Sequence, residues 1–189
     1  GDVDWESVAR TEVDFVIARV GGRGYTAGAI YEDTKFDEYA DGADRAGLQV
    51  GAYFFSQAIS VAEAEEEAYF VLDKLRGHNI TGPVVFDWEV IGKSEARTYG
   101  IETGVLCAAA NAFCEIIEDA GYDAMIYITD YAGYVKYDLS KVMDYPLWYA
   151  RYDVSAPTFY YDFAMWQYSS KGSVDGIKGN VDMDIWFIK

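Results

Sequence analysis

The chain alternates short apolar runs with segments whose apolar residues recur at helical spacing. Apolar runs bounded by glycine or polar residues are typical of buried strands, and they occur at residues 15–20, 50–55, 83–89 and 125–129. Helical spacing predicts helices over about 36–46, from Ser60 through 75, and over about 102–120. Ser60 with Glu63 forms a capping box, and Gly47 and Gly121 stand where helices commonly stop.

The helical pattern weakens in the last third of the chain. Three short apolar segments follow closely there, at residues 147–150, 164–168 and 181–187. Alternating strands and helices imply a parallel sheet with right-handed crossovers, and a β/α barrel fits this order. We therefore predict an α/β fold: an irregular, flattened, TIM-like barrel whose last strands lack full helices. With no internal repeat or linker, residues 1–189 form a single predicted domain.

Composition narrows the possible partners. The net charge of −17 argues against nucleic acid, because phosphate binding needs clusters of Lys and Arg. No apolar run approaches the ~20 residues that span a bilayer, so we expect no membrane insertion. The chain also carries 17 Tyr, 10 Phe and 5 Trp. Tyr and Trp combine a flat apolar face with a polar tip, which suits sugar rings, although most of these aromatics must serve the core.

Two acids at the end of the 83–89 segment are the main candidates for chemistry. Side chains alternate faces along a strand, so Asp87 and Glu89 point the same way, with Cα atoms ~6.6 Å apart. Burying two acids is costly unless they open into a cleft. A pair with one protonated and one ionised carboxyl group is what glycoside hydrolysis requires. The alternative is that the pair only closes a strand at the solvent edge.

The two cysteines carry no predicted chemistry. Cys107 and Cys114 lie seven residues apart in a helical segment, which separates them by ~10 Å along the axis and exceeds the reach of a disulfide. Their spacing does not suit a metal. We expect free, buried thiols on one helix face, and we expect neither a metal nor a cofactor.

An ordered set of short motifs resembles the family 25 glycoside hydrolases, the Chalaropsis-type lysozymes. The set runs nearly end to end, through residues 2–8, 15–19, 31–36, 46–55, 62–64, 86–89, 120–127, 146–152, 166–170 and 179–182. The set includes Phe86-Asp87-Trp88-Glu89 and Trp166-Gln167-Tyr168-Ser169-Ser170. No single piece is decisive, but the order of the whole set is specific.

The resemblance implies an N-acetylmuramidase that cuts the β-1,4 bond between N-acetylmuramic acid and N-acetylglucosamine in peptidoglycan. By position, Glu89 is the general acid/base, Asp87 assists at the substrate's 2-acetamido group, and Asp182 belongs to the same acidic cluster. Asp184 would share the strand face of Asp182, and family alignment favours Asp182. Predicted sugar contacts, each equally able to be core packing, are Tyr53, Tyr127, Trp148, Tyr152 and Trp166.

The resemblance also sets expectations for partners and location. We expect peptidoglycan glycan strands as the partner, a monomeric protein, and action outside the cell or in the cell wall as a secreted bacterial or phage-encoded enzyme. One departure is that the family's first strand, with a Gly-Ile-Asp-like motif, would precede residue 1. We expect an upstream strand in the natural protein. Two alternatives stay open, a catalytically impaired peptidoglycan-binding barrel and a chitinase-type barrel glycosidase.

Overall fold

A computed structural model describes residues 1–187, which form a mixed α/β fold around a single eight-stranded sheet. The strands are β1 (Phe15–Arg23), β2 (Ile30–Glu32), β3 (Gln49–Ser56), β4 (Val84–Trp88), β5 (Ala124–Thr129), β6 (Leu147–Ala150), β7 (Met165–Gly172) and β8 (Val181–Trp186). All the predicted strands are present at nearly the predicted positions. The sequence reading missed only β2, which has three residues, too few for a recognisable alternation.

The sheet runs in the order β2-β1-β3-β4-β5-β6-β7-β8. From β1 through β3 to β7 the neighbouring strands are parallel, as predicted. The two outer strands differ, because β2 is antiparallel to β1 and β8 is antiparallel to β7. The connection from β7 to β8, residues 173–180, is too short for the crossover that a parallel pair needs.

Within residues 1–187, one short helix precedes the sheet and three helices connect strands between β2 and β5. They are α1 (Trp5–Val8), α2 (Phe36–Arg45), α3 (Val61–Leu75) and α4 (Thr103–Asp119). The Ser60 side chain accepts from the Glu63 N–H, as the capping box predicts. Between β5 and β6 only a π-helical turn (Ala132–Lys136) and a 3₁₀ turn (Leu139–Lys141) occur. Across the described residues, the last strands therefore lack full helical crossovers, as predicted.

Alternation along β4 separates two apolar layers. Val84, Phe86 and Trp88 belong to the large core between the sheet and the helices. Val85 faces the other way, into a smaller core on the concave side, and Asp87 shares that face. Sequence periodicity on one buried strand thus decides which side chains can reach the concave surface.

The sheet curls, but the described residues do not show a closed barrel. The rings of Phe15 on β1 and Trp186 on β8 lie 5.7 Å apart, edge to face, so β1 and β8 approach each other across the curl of the sheet. Within residues 1–187, however, β8 pairs only with β7. The described residues therefore show the predicted irregular barrel in part, as an open, curled eight-stranded sheet.

Two smaller expectations can be compared with the structure. Cys107 and Cys114 are free, buried thiols on α4, as predicted. Over residues 1–187, no helix combines the length and apolarity needed to cross a bilayer.

Candidate active site

A cleft of about 1330 Å³ lies on the concave face of the curled sheet. It extends along the gap between β1 and β8 and reaches the carboxyl ends of β3, β4 and β5. The charged, polar and aromatic side chains that line it include Arg19, Tyr53, Asp87, Glu89, Tyr127, Trp148, Tyr152, Gln167, Asp182 and Asp184. The structure thus brings seven of the eight predicted site residues to one cleft.

Asp87 and Glu89 both line this cleft, as strand alternation predicts. Asp87 is the last-but-one residue of β4 and is only 6% exposed. Its Oδ1 atom has no hydrogen-bond partner among the described residues. A buried polar atom without a partner costs free energy, so Asp87 Oδ1 is an unpaired acceptor on a residue that lines the cleft.

The environment favours the protonated forms of both acids. Burial raises the pKa of Asp87 well above its ordinary value, and the nearby charges of Glu89 and Asp182 raise it further. Burial and the charge of Asp182 raise the pKa of Glu89. Like charges in a poorly solvated cleft cannot all ionise cheaply, and such groups share their protons. The cleft therefore retains acid protons at a pH where isolated carboxyl groups would be ionised.

Asp182 and Asp184 both lie on β8 and line the cleft, so the sequence alternatives are neighbours in space. Asp184 Oδ1 accepts a hydrogen bond from Trp148 Nε1 at 2.7 Å. Burial raises the pKa of Asp184 to about 7, although that hydrogen bond opposes the shift. Asp182 is exposed and its charge acts on Glu89, whereas Asp184 is tied to an aromatic ring. This difference is consistent with the preference for Asp182.

Arg19 is a site residue that sequence reasoning missed. It lies on β1 opposite Tyr53 of β3, and its Nε donates to Asp33 Oδ2 at 2.8 Å. Its positive charge acts against the raised pKa of Asp87. A usable signal was present, because a cation within an otherwise apolar strand needs a partner or an opening to water.

Aromatic rings form one wall of the cleft. Trp148 contacts Tyr127 at a centroid distance of 5.0 Å and Tyr53 at 6.4 Å, both edge to face. The Tyr127 hydroxyl donates to Gln167 Oε1 at 3.1 Å, and the Tyr152 hydroxyl donates to the same oxygen. Their roles as sugar contacts stay predictions, but their position on the cleft wall agrees with that role.

Trp166, a predicted sugar contact for which core packing was equally open, lies in the core and not in the cleft. Trp166 packs in the large core on the helix side of β7, where its Nε1 donates to the Arg151 carbonyl at 2.9 Å. It does not line the cleft. Gln167, the next residue, faces the cleft instead. Strand alternation allows only one of the two on the concave face, and the motif alone gave no indication of which one.

Buried polar contacts fix the main chain at Glu89. Gln57, directly after β3, donates from Nε2 to the Glu89 carbonyl oxygen at 3.2 Å and to the Ser56 carbonyl oxygen at 2.9 Å. Its Oε1 accepts from Thr98 Oγ1 at 2.8 Å. Arg97 Nη1 donates to the Gln57 carbonyl oxygen at 3.0 Å, and the Arg97 guanidinium also binds Glu63 of α3. The loop after β4 is therefore tied to β3 and α3 beside Glu89.

Comparison with known proteins gives consistent matches. The family model described as glycosyl hydrolases family 25 matches residues 1–177. The autolytic lysozyme of Clostridium acetobutylicum is 30% identical over 185 residues, covering 97% of this chain and 52% of that protein. Lysozyme M1 of Streptomyces globisporus is 30% identical over 193 residues, covering 96% of this chain and 63% of that protein. The chain thus spans between half and two thirds of these relatives.

Among solved structures, the fold is similar to that of the modular autolysin LytC from Streptococcus pneumoniae in complex with a synthetic peptidoglycan ligand. The TM-score is 0.82 at 26% sequence identity, and the match covers 99% of this chain and 44% of LytC. The likeness therefore includes nearly every element that lines the acidic cleft.

Proposed function

The chain belongs to glycosyl hydrolase family 25, and on that premise we propose that it hydrolyses the β-1,4 bond between N-acetylmuramic acid and N-acetylglucosamine in peptidoglycan. The observation that carries the proposal is the position of Glu89 beside Asp87 in an open acidic cleft. Two relatives are named as lysozymes, which supports peptidoglycan as the substrate.

Glu89 serves as the general acid in this proposal. Burial and the charge of Asp182 raise its pKa, so its carboxyl group keeps a proton that it can pass to the oxygen of the scissile bond. A general acid works best when its pKa lies near the working pH. The aromatic wall of Tyr53, Tyr127 and Trp148 offers flat faces on which a sugar ring can rest.

Asp87 assists through the substrate's 2-acetamido group. The N–H of that group would donate to the unpaired Asp87 Oδ1, which stabilises the carboxylate form of Asp87, as does the charge of Arg19. Because the acids share their protons, ionising Asp87 moves the remaining proton towards Glu89. Substrate binding thereby places each acid in the state that its role requires.

The proposed reaction then proceeds in two steps. Glu89 gives its proton to the glycosidic oxygen as the bond from C1 to that oxygen breaks, and the acetamido carbonyl oxygen forms a bond to C1. In the second step Glu89 takes a proton from a water molecule, whose oxygen attacks C1 and displaces the acetamido oxygen. A substrate that lacks the acetamido group should react far more slowly, and an undiminished rate would rule out this route.

Product analysis tests the proposed bond. Purified peptidoglycan is digested, the new reducing ends are reduced with borohydride, and the sugar alcohols are identified after acid hydrolysis. The proposal expects muramitol, and Glu89→Gln should abolish its formation. Glucosaminitol as the product would show cleavage of the other glycosidic bond and would contradict the proposal.

The same assay separates the alternatives. Binding to peptidoglycan without any new reducing end, also in a version extended upstream of residue 1, would favour the catalytically impaired binding barrel. Activity on chitin oligomers with none on peptidoglycan would favour the chitinase type. The proposal also includes action outside the cell or in the cell wall, because peptidoglycan lies there. It further includes a monomeric protein.

A further inference from the structure

A group of exposed tyrosines lies on two loops outside the cleft. Tyr131 and Tyr134 follow β5 and are 53% and 51% exposed, and Tyr160 and Tyr161 lie between β6 and β7 and are 84% and 37% exposed. We call these four residues the tyrosine platform. Because β4, β5 and β6 are parallel, the loops after β5 and β6 leave the sheet at the same edge as Glu89.

A rigid aromatic layer supports the platform from below. The Phe159 ring stacks on Tyr149 of β6 at 4.6 Å and packs against Tyr134 at 4.8 Å and Tyr161 at 5.7 Å. The Tyr160 N–H donates to the Tyr134 hydroxyl at 3.0 Å. The two loops therefore hold each other, and the Tyr134 and Tyr161 rings are fixed before any ligand binds, which lowers the entropic cost of binding.

The platform is continuous with the cleft wall. Asp130, which precedes Tyr131, accepts hydrogen bonds from the Tyr149 hydroxyl and, at 2.5 Å, from Arg151 Nη1. The residue after Arg151 is Tyr152, which lines the cleft and binds Gln167. The Asp130–Arg151 ion pair thus joins the two loops beside Tyr152, so the platform begins next to the cleft wall.

The chemistry of the platform fits a carbohydrate chain with acidic substituents. Exposed tyrosines present flat apolar faces and hydroxyl groups, which match the faces and edges of sugar rings. In a chain of net charge −17, this surface also carries two cations, Arg151 and Lys136, whose Nζ lies 6.0 Å from the centre of the Tyr131 ring. Arg151 is already paired with Asp130, and Lys136 is left to bind a carboxylate of a peptidoglycan stem peptide.

We propose that the tyrosine platform binds the peptidoglycan strand beyond the sugars held in the cleft. The proposal rests on the proposed function for the identity of the strand. It predicts that the platform contributes to the capture of long strands and contributes nothing to short substrates that the cleft alone accommodates.

The test is the double substitution Tyr131→Ser with Tyr160→Ser, compared with Tyr69→Ser, which changes a 63% exposed tyrosine on α3, outside these loops. Binding is measured first, by sedimentation with insoluble peptidoglycan in the Glu89→Gln background. Two stacking contacts are lost, so the dissociation constant should rise about tenfold or more. Tyr69→Ser should leave it unchanged.

Hydrolysis is then measured on a short tetrasaccharide and on intact wall suspensions with Glu89 present. The double variant should lose activity on walls and keep the parent kcat/KM on the tetrasaccharide. Unchanged wall binding, equal losses on both substrates, or an equal effect of Tyr69→Ser would overturn the proposal. So would a parent dimer, seen by analytical ultracentrifugation, that the double substitution dissociates. If the parent cleaves neither substrate, the proposed function fails, but the binding measurement still tests the proposal about the tyrosine platform.

Discussion

Replacing Thr98 with valine tests whether the loop after β4 holds Glu89 in position. Thr98 Oγ1 donates to Gln57 Oε1, and Gln57 Nε2 donates to the Glu89 carbonyl oxygen. Thr98 is 5% exposed and Gln57 is fully buried, so water cannot readily replace the lost hydroxyl group. Valine keeps the shape of threonine, and the substitution therefore removes one hydrogen bond with little change in packing.

The structure sets the size of the expected effects. Leaving the Gln57 oxygen without a donor in a buried place costs about 1–3 kcal/mol of the free energy of unfolding, and each kcal/mol lowers the melting temperature by roughly 2–4 °C in a chain of this size. A misplacement of about 1 Å in a positioned group can cost about 100-fold in rate. We expect kcat on peptidoglycan fragments to fall on the order of tenfold to 100-fold, while KM changes less because the aromatic wall is untouched.

Thr98→Ser is the matched control. Serine keeps the hydroxyl group and loses one methyl group, which costs about 0.8 kcal/mol of stability, but it should retain the parent kcat. Thermal denaturation and steady-state kinetics on a defined oligosaccharide measure both quantities. A valine variant with the parent kcat, or a serine variant as slow as the valine variant, would refute the idea that this contact positions Glu89.

Three further predictions concern the cleft and its surroundings. Asp182→Asn removes a negative charge that raises the pKa of Glu89. The pKa of Glu89 should therefore fall, and the alkaline limb of the kcat/KM profile should move to lower pH because Glu89 loses its proton at a lower pH. An unmoved limb would contradict the effect of Asp182 on Glu89. Trp166→Phe should leave KM unchanged because the ring lies on the helix side of β7. Tyr152→Phe removes a hydroxyl group from the cleft and should raise KM. A KM that rises in Trp166→Phe but not in Tyr152→Phe would contradict the placement of Trp166 in the core. Burial of Cys107 and Cys114, which also raises the pKa of both thiols, should make them inert to a thiol reagent until denaturant is added, and rapid labelling of the native protein would show an error in the packing of α4.

Much of the fold could be predicted because local patterns and tertiary structure agree. The helix from Ser60 to Leu75 carries its own cap, and the β4 segment alternates in the way that places Val85 and Asp87 on one face. The directions of β2 and β8 could not be predicted in this way. They depend on the short connections that join β1 to β2 and β7 to β8, which apolar periodicity does not encode.

The site residues likewise include some that the sequence predicts and some that it does not. Asp87 and Glu89 could be paired from their spacing alone, because two residues along a strand restore the same face. Gln167 and Trp166 could not be distinguished without knowing which face of β7 is concave. Arg19 and Gln57 act through partners far away in sequence, Asp33 at one end and Thr98 at the other, and no short motif reports such contacts.

The central claim is that the cleft keeps a proton on Glu89 at a pH where an isolated glutamate is ionised. An NMR titration of side-chain carboxyl carbons, with the Glu89 signal assigned by its loss in Glu89→Gln, measures this directly. We predict that Glu89 titrates above the ordinary pKa of 4.5 and moves back towards it in Asp182→Asn. A Glu89 signal that titrates at or below the ordinary value in the parent protein would contradict the account.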